Sequence, residues 1–134
     1  MTGKRGTVGR NPLAIGHAPL TDKAREKVAA RFRCLGEPMR LRILERLFEG
    51  PATVGEIVTV VGGTQANVSK HLAVLKGADL LSSEKEKGSA RVTYSIADPS
   101  LVQLCAIVCE GVARRAREEA DALGARQSPG AHLS

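Results

Sequence analysis

Apolar residues recur at helical spacing in five stretches of this chain and alternate with polar ones in only one short region. In TDKAREKVAARFRCLGEP, Ala24, Val28, Phe32 and Leu35 share a face, Thr21 is suited to cap the start, and Gly36 and Pro38 break the pattern. MRLRILERLFEG puts Met39, Leu41, Ile43, Leu44, Leu47 and Phe48 on a broad apolar face and stops at Gly50 and Pro51. Thr53 and Glu56 have the spacing of a capping box ahead of a short third helix, VGEIVTVV, which Gly62 and Gly63 end. Thr64 caps a fourth, QANVSKHLAVLKGADLL, whose Ala66, Val68, Leu72, Val74 and Leu75 leave Gln65, Asn67, Ser69, Lys70 and His71 mainly on the other side. Asp98, with Pro99 at the first helical position, opens a fifth helix that runs through Leu123 to Gly124.

Before that last helix, LLSSEKE and RVTYSIA read as strands, joined by the polar turn KGSA in which Gly88 can take a positive φ. The predicted order is α1-α2-α3-α4-β-β-α5, mainly α with one β-hairpin, the plan of a winged helix-turn-helix. The patterned sequence, residues 20 to 123, is expected to form one DNA-binding and dimerisation domain. Residues 1 to 19 show no apolar periodicity and read as a disordered basic tail, and GARQSPGAHLS, residues 124 to 134, as a second disordered tail.

Composition sharpens this picture. Only 2% of the residues are aromatic, so the core must be built from Leu, Val, Ile and Ala, which suits helices. The net charge of +6 favours a polyanionic partner, nucleic acid first. No run approaches the ~18 apolar residues of a membrane helix, and the first residues lack the apolar stretch of a secretory signal, so a cytoplasmic protein is expected.

VGEIVTVVGGTQANVSKHLAVL fits two short helices around a glycine turn, the second of which would lie in a DNA major groove. Its residues suit the task. Gln65 and Asn67 can pair with adenine, Ser69 can bond a base or a phosphate, and Lys70 and His71 can reach phosphate or guanine, while Thr64 sets a helix N-terminus near the backbone. A solvated amphipathic helix would carry similar residues, but the hairpin tips the balance: Lys85, Lys87 and Arg91 around Gly88 are what a wing needs to touch the backbone or minor groove.

In this order and spacing the chain resembles the ArsR/SmtB family of bacterial winged-helix repressors, most clearly in LGEPMRLRIL, TQANVSKHLAVLKGADLL and YSIAD. The resemblance covers roughly residues 20 to 123. It implies a homodimer joined mainly through the first and last helices, which represses an operon until an inducer binds. Such a dimer implies double-stranded operator DNA with near-palindromic half-sites about one helical turn apart. Two metal sites recur in the family, and this chain departs from both. TVGEIVTVV has no cysteine for the thiolate site, and residues 98 to 123 contain no His for the zinc-type site.

Thiols remain. Cys34, Cys105 and Cys109 are an odd number of cysteines, which argues against a structural disulfide framework. On the fifth helix Leu101, Leu104, Cys105, Val108, Val112 and Ala116 form a stripe, with Cys109 one turn after Cys105, a setting that also suits plain packing. Side chains four apart have Cβ atoms ~5 to 6 Å apart, whereas a disulfide needs ~3.5 to 4.5 Å, so a shared soft ion is the easier bridge. With Cys34 on the first helix, the three could form a metal site for mercury(II), arsenic(III) or antimony(III), and less readily for cadmium or lead. The alternative is a redox or reactive-sulfur switch that pairs Cys34 with Cys105 or Cys109. A thiol enzyme is disfavoured, because no His neighbours these cysteines in sequence and there is no Cys-x-x-Cys pair.

Overall fold

The computed structural model describes residues 12–14, 16 and 18–133, with side chains through residue 125. Among the described residues, five helices and three strands follow one another as α1 (Asp22–Leu35), α2 (Pro38–Phe48), β1 (Ala52–Thr53), α3 (Val54–Val61), α4 (Gln65–Gly77), β2 (Leu81–Lys85), β3 (Val92–Ile96) and α5 (Ser100–Leu133). Most of the tail at residues 1–19 lies outside the described residues. No described helix is long and apolar enough to cross a membrane.

The caps explain where the helices begin. Thr21 Oγ1 accepts from the Ala24 amide at 3.1 Å, Thr64 Oγ1 from Asn67 at 3.1 Å, and Thr53 and Glu56 bond reciprocally at 3.2 and 2.9 Å. Each removes an amide that the first turn leaves unpaired. The bond from the Thr53 amide, then that from its hydroxyl, holds the Glu56 carboxyl below its ordinary range. Pro38 stands inside α2 at its first turn, where the missing N–H costs nothing, and Glu37 caps that helix by accepting from the Arg40 amide at 3.0 Å.

The core sits where α2, α3 and α4 meet the base of the sheet. Ile43, Leu44, Ile57, Val68, Leu72, Leu75 and Leu80 are fully buried, and their spacing on α4, at 68, 72 and 75, is one helical face. This face seats the fourth helix and leaves its other side to solvent. Gly62 and Gly63, at φ 80° and 82°, make the turn from α3 to α4 in a conformation that a side chain would strain.

The sheet has one strand more than the expected hairpin. β2 and β3 pair antiparallel from Leu81–Ile96 to Lys85–Val92, and β1 adds to the other edge of β3 through Ala52–Tyr94 and Thr53–Thr93. The two residues of β1 are too few to show a period, yet they tie the wing directly to the start of α3.

α4 ends at Gly77, earlier than the apolar pattern suggests, because Asp79 turns the chain at φ 62° and the Leu80 amide reaches back to the Leu75 carbonyl at 3.1 Å. A left-handed residue with a side chain is strained. Asp79→Gly is therefore expected to raise the unfolding free energy by up to about 1 kcal/mol, read as a higher urea midpoint at constant m. A lower midpoint would show that the Asp79 side chain holds the turn.

The backbone of α5 runs through Gly124 to Leu133. At Gly124 the glycine costs ~1 kcal/mol relative to alanine, which the preceding flank, rich in Ala, Arg and Glu, offsets. Ion pairs within the helix, Arg114–Glu118 at 3.9 Å and Arg117–Glu110 at 3.6 Å, lie along this flank. Asp98 begins α5 by accepting from the Ser100 hydroxyl at 2.7 Å and its amide at 3.0 Å, and it pairs with Arg31 of α1 at 3.2 Å. These bonds, Ser100 first, keep its carboxyl below the ordinary range.

Candidate DNA interface and thiol cleft

Gln65, Asn67 and Lys70 are exposed on α4 and Ser69 is partly so, while Val68 and Leu72 point into the core. Gln65 and Ser69, one turn apart, line an open groove of about 560 Å³ together with Thr53, Gly55, Arg91 and Tyr94. Recognition helix, wing and the start of α3 thus share one concave face. Thr64 is spent on its cap, which aims the first amides of α4 outward from the same end. The wing turn closes through Glu86 N to Arg91 O at 3.1 Å and Arg91 N to Ser89 Oγ at 3.0 Å, with Gly88 at φ 73°. Lys85, Lys87 and Arg91 stand exposed around it, and Lys70, Lys85 and Lys87 form no ion pair with the described residues.

His71 is placed differently from the other candidates. Its Nδ1 accepts from Arg40 Nε at 3.2 Å and lies 3.8 Å from Glu37 Oε2, with 17% of the side chain exposed. The ring faces α2, because position 71 lies next to the buried face marked by Leu72 and Leu75. Arg40 also donates to the Cys34 carbonyl at 2.9 Å, so one guanidinium joins the ends of α1, α2 and the middle of α4. Sequence reasoning missed this hub, since nothing in the spacing of Cys34, Arg40 and His71 links them.

The three thiols are all free, and they are not brought together within the chain. Cys34 is buried at 5% exposure, its Sγ 3.9 Å from the Val74 carbonyl, beside a depression lined by Arg33, Arg40 and Gly77. Cys105 is half-buried and Cys109 exposed, and both line another cleft, of about 360 Å³, facing Leu41, Leu44 and Phe48 of α2. Among the described residues no three His, Cys, Asp or Glu side chains are grouped to hold a metal ion. The physical reason is that this part of α5 faces α2, whereas Cys34 turns inward at the end of α1. The clue in the sequence was the breadth of the α2 apolar face: Leu41 and Phe48 lie outside the set that fills the core.

Burial pushes the Cys105 thiol up, and the neighbouring Cys109 thiol adds to the rise. Cys105 therefore carries its proton at neutral pH, and a thiolate ligand must displace it.

α5 also shows an apolar face that the described residues leave exposed. Ile107, Val108 and Val112 are 71%, 54% and 66% exposed, and Phe32 on α1 is 53% exposed.

Comparison with known proteins agrees with this architecture. Residues 37–83 match the model of the bacterial regulatory protein, arsR family. The HTH-type transcriptional regulator CmtR of Mycobacterium tuberculosis is 38% identical over 85 residues, 63% of this chain and 70% of that protein. A Streptomyces lividans protein named "Probable mercury resistance operon repressor" is 32% identical over 92 residues, 69% of this chain and 70% of its own length. The solution structure of the homodimeric winged helix-turn-helix DNA-binding domain of Mb0332 from Mycobacterium bovis superposes with a TM-score of 0.63 at 28% identity, over 78% of this chain and 95% of that domain. This chain is a winged helix-turn-helix transcriptional regulator and belongs to the arsR family of bacterial regulatory proteins.

Proposed function

We propose that the protein is a cytoplasmic homodimeric repressor that holds near-palindromic operator DNA and releases it when a soft thiophilic ion binds Cys105 and Cys109. The observation that carries this reading is the pairing of two thiols, one turn apart on α5, at a cleft outside the DNA-facing groove. Two metal–sulfur bonds of ~2.3 Å can bridge side chains at that spacing, and thiolates without His select soft ions. Mercury(II), which is satisfied by two sulfurs, fits this pair best, with arsenic(III) or antimony(III) next and cadmium or lead behind. The name of the Streptomyces lividans relative points the same way. Cys34, held against the Val74 carbonyl, is a core thiol in this scheme and lies outside the ligand pair.

The exposed apolar stripe on α5 and Phe32 of α1 support dimerisation, because a contiguous apolar surface of this kind is usually covered. An ion binding on α5 then acts on the dimer helix and so on the spacing of the two recognition helices. Effector and DNA oppose one another through a coupling free energy, typically ~1 to 3 kcal/mol. Gln65, Asn67 and Ser69 read bases, while Lys70, Lys85, Lys87 and Arg91 meet phosphates, with the first amides of α4 behind Thr64 favouring another.

Binding to the DNA just upstream of its own gene, followed by fluorescence anisotropy across a salt series, tests the DNA half of this reading. Lys70→Ala is expected to weaken binding to all sequences alike and to lower the slope of log K against log salt by about 1. A loss confined to one sequence would contradict the phosphate role, and no binding even at low salt would contradict the repressor reading.

A further inference from the structure

We propose that Arg40 is a positioning residue for DNA reading: through its bond to His71 it fixes the roll of α4, and so sets how sharply the protein tells its own upstream DNA from other sequences. This rests on the reading of Gln65, Asn67 and Ser69 as the base-reading side chains, and adds to them two residues that act without touching a base.

The apolar contacts beneath α4 do not fix its roll alone. Val68, Leu72 and Leu75 are fully buried on one face, but burial of apolar surface is non-directional, so it sets the depth of the helix more firmly than its rotation. His71 stands at the flank of that face with 17% of its side chain exposed, and there the contact is directional: Arg40 Nε donates to His71 Nδ1 at 3.2 Å. A guanidinium only donates, so Nδ1 accepts with its lone pair and the ring proton sits on Nε2. The guanidinium is itself held. Its Nη1 donates to the Cys34 carbonyl at 2.9 Å, at the end of α1, and the Arg40 amide donates to Glu37 Oε2 at 3.0 Å, in the cap of α2. Arg40 thus grips α4 with one side of a planar fork while the other side is bound to a second helix.

The neighbours of His71 on α4 show what this grip controls. Asn67 lies one turn before it and Lys70 immediately before it, and both are exposed. A paired base contact tolerates only about 10 to 20° of misplacement, whereas a lysine on its flexible stem can follow a phosphate. Loss of the Arg40–His71 bond therefore costs base contacts and spares phosphate contacts. Arg40 lines the depression beside Cys34, Val74 and Gly77, apart from the groove lined by Gln65, Ser69 and Arg91. Its charge acts on all DNA alike, so an effect of Arg40 on sequence preference passes through His71.

Anisotropy at one fixed salt concentration, with the upstream DNA and a scrambled duplex of equal length, gives the ratio of the two affinities for the full-length protein. Arg40→Met and His71→Leu are each expected to lower this ratio ~tenfold, chiefly through weaker binding to the upstream DNA. The double variant should lose no more than either single one, because the two side chains act through one bond. His71→Asn, whose Oδ1 can accept in place of Nδ1, should recover most of the ratio. Arg40→Lys disturbs folding least and sets one ammonium against two separate acceptors, so its ratio should lie between those of the wild type and Arg40→Met. A wild-type ratio in Arg40→Met or Arg40→Lys, losses that add in the double variant, or a His71→Asn ratio as low as that of His71→Leu would each overturn the positioning role. The variant Gln65→Ala/Asn67→Ala separates the two levels. If it loses the ratio while Arg40→Met keeps it, only the positioning role falls; if it keeps the ratio, the base-reading assignment falls as well.

Discussion

Cys105→Ser and Cys109→Ser are each expected to bind the upstream DNA as tightly as the wild type and to stay bound when mercury(II) is added. Both residues lie on α5, away from the groove shared by α4, the wing and the start of α3. Serine is close to cysteine in size, and Cys109 is exposed while Cys105 is half-buried, so neither change empties the core. What is lost is the second arm of a two-sulfur chelate. Holding both arms on one helix makes closure of the second bond intramolecular, and removing it should cost ~10²-fold or more in ion affinity. Cys34→Ser is the control. Its side chain is in the core cluster, so it is expected to lower stability somewhat and leave release by mercury(II) in place. Competition for mercury(II) against a dithiol, with DNA anisotropy read in the same tube, separates the outcomes. Loss of DNA binding in Cys105→Ser or Cys109→Ser would make these thiols structural.

Leu72→Ala is expected to lower the unfolding free energy by ~2 to 5 kcal/mol, a large share of the ~5 to 15 kcal/mol that holds a domain of this size. Leu72 is fully buried, in the cluster formed by Ile43 and Leu44 of α2 and Ile57 of α3. Truncation would leave a cavity under the middle of α4, between Gln65 and Ser69 on one side and the C-cap at Ala78 on the other. The orientation of the recognition helix depends on this contact. DNA affinity should therefore fall in Leu72→Ala even at temperatures where the protein remains folded. Urea denaturation checks the first part and anisotropy the second, and a loss under about 1 kcal/mol would mean that α4 is not seated through this residue.

The helices were legible because their signals are local. Thr21, Thr53 and Thr64 announce caps that the structure forms with the amides three residues on, and the glycines at 62 and 63 mark the turn. The exposed face of α4 follows from the positions of Val68, Leu72 and Leu75 alone. Interactions that depend on which elements meet were not legible. β1 exists because Ala52 and Thr53 find Tyr94 and Thr93 across the chain, and His71 turns inward because Arg40 of α2 is there to meet it. The thiols show the limit most clearly. Spacing placed Cys105 and Cys109 one turn apart, but only packing shows that Cys34 lines a separate depression and that α2 supplies the wall beside the pair.

Induction depends on the link between the thiol pair and the DNA. The most direct test is to titrate the reduced repressor on its upstream DNA with mercury(II), following anisotropy and thiol occupancy at Cys105 and Cys109 together. DNA is expected to leave as about one ion per chain binds the pair, and excess dithiol is expected to restore the complex, as reciprocal coupling requires. DNA that remains bound while both thiols carry the ion would contradict that link.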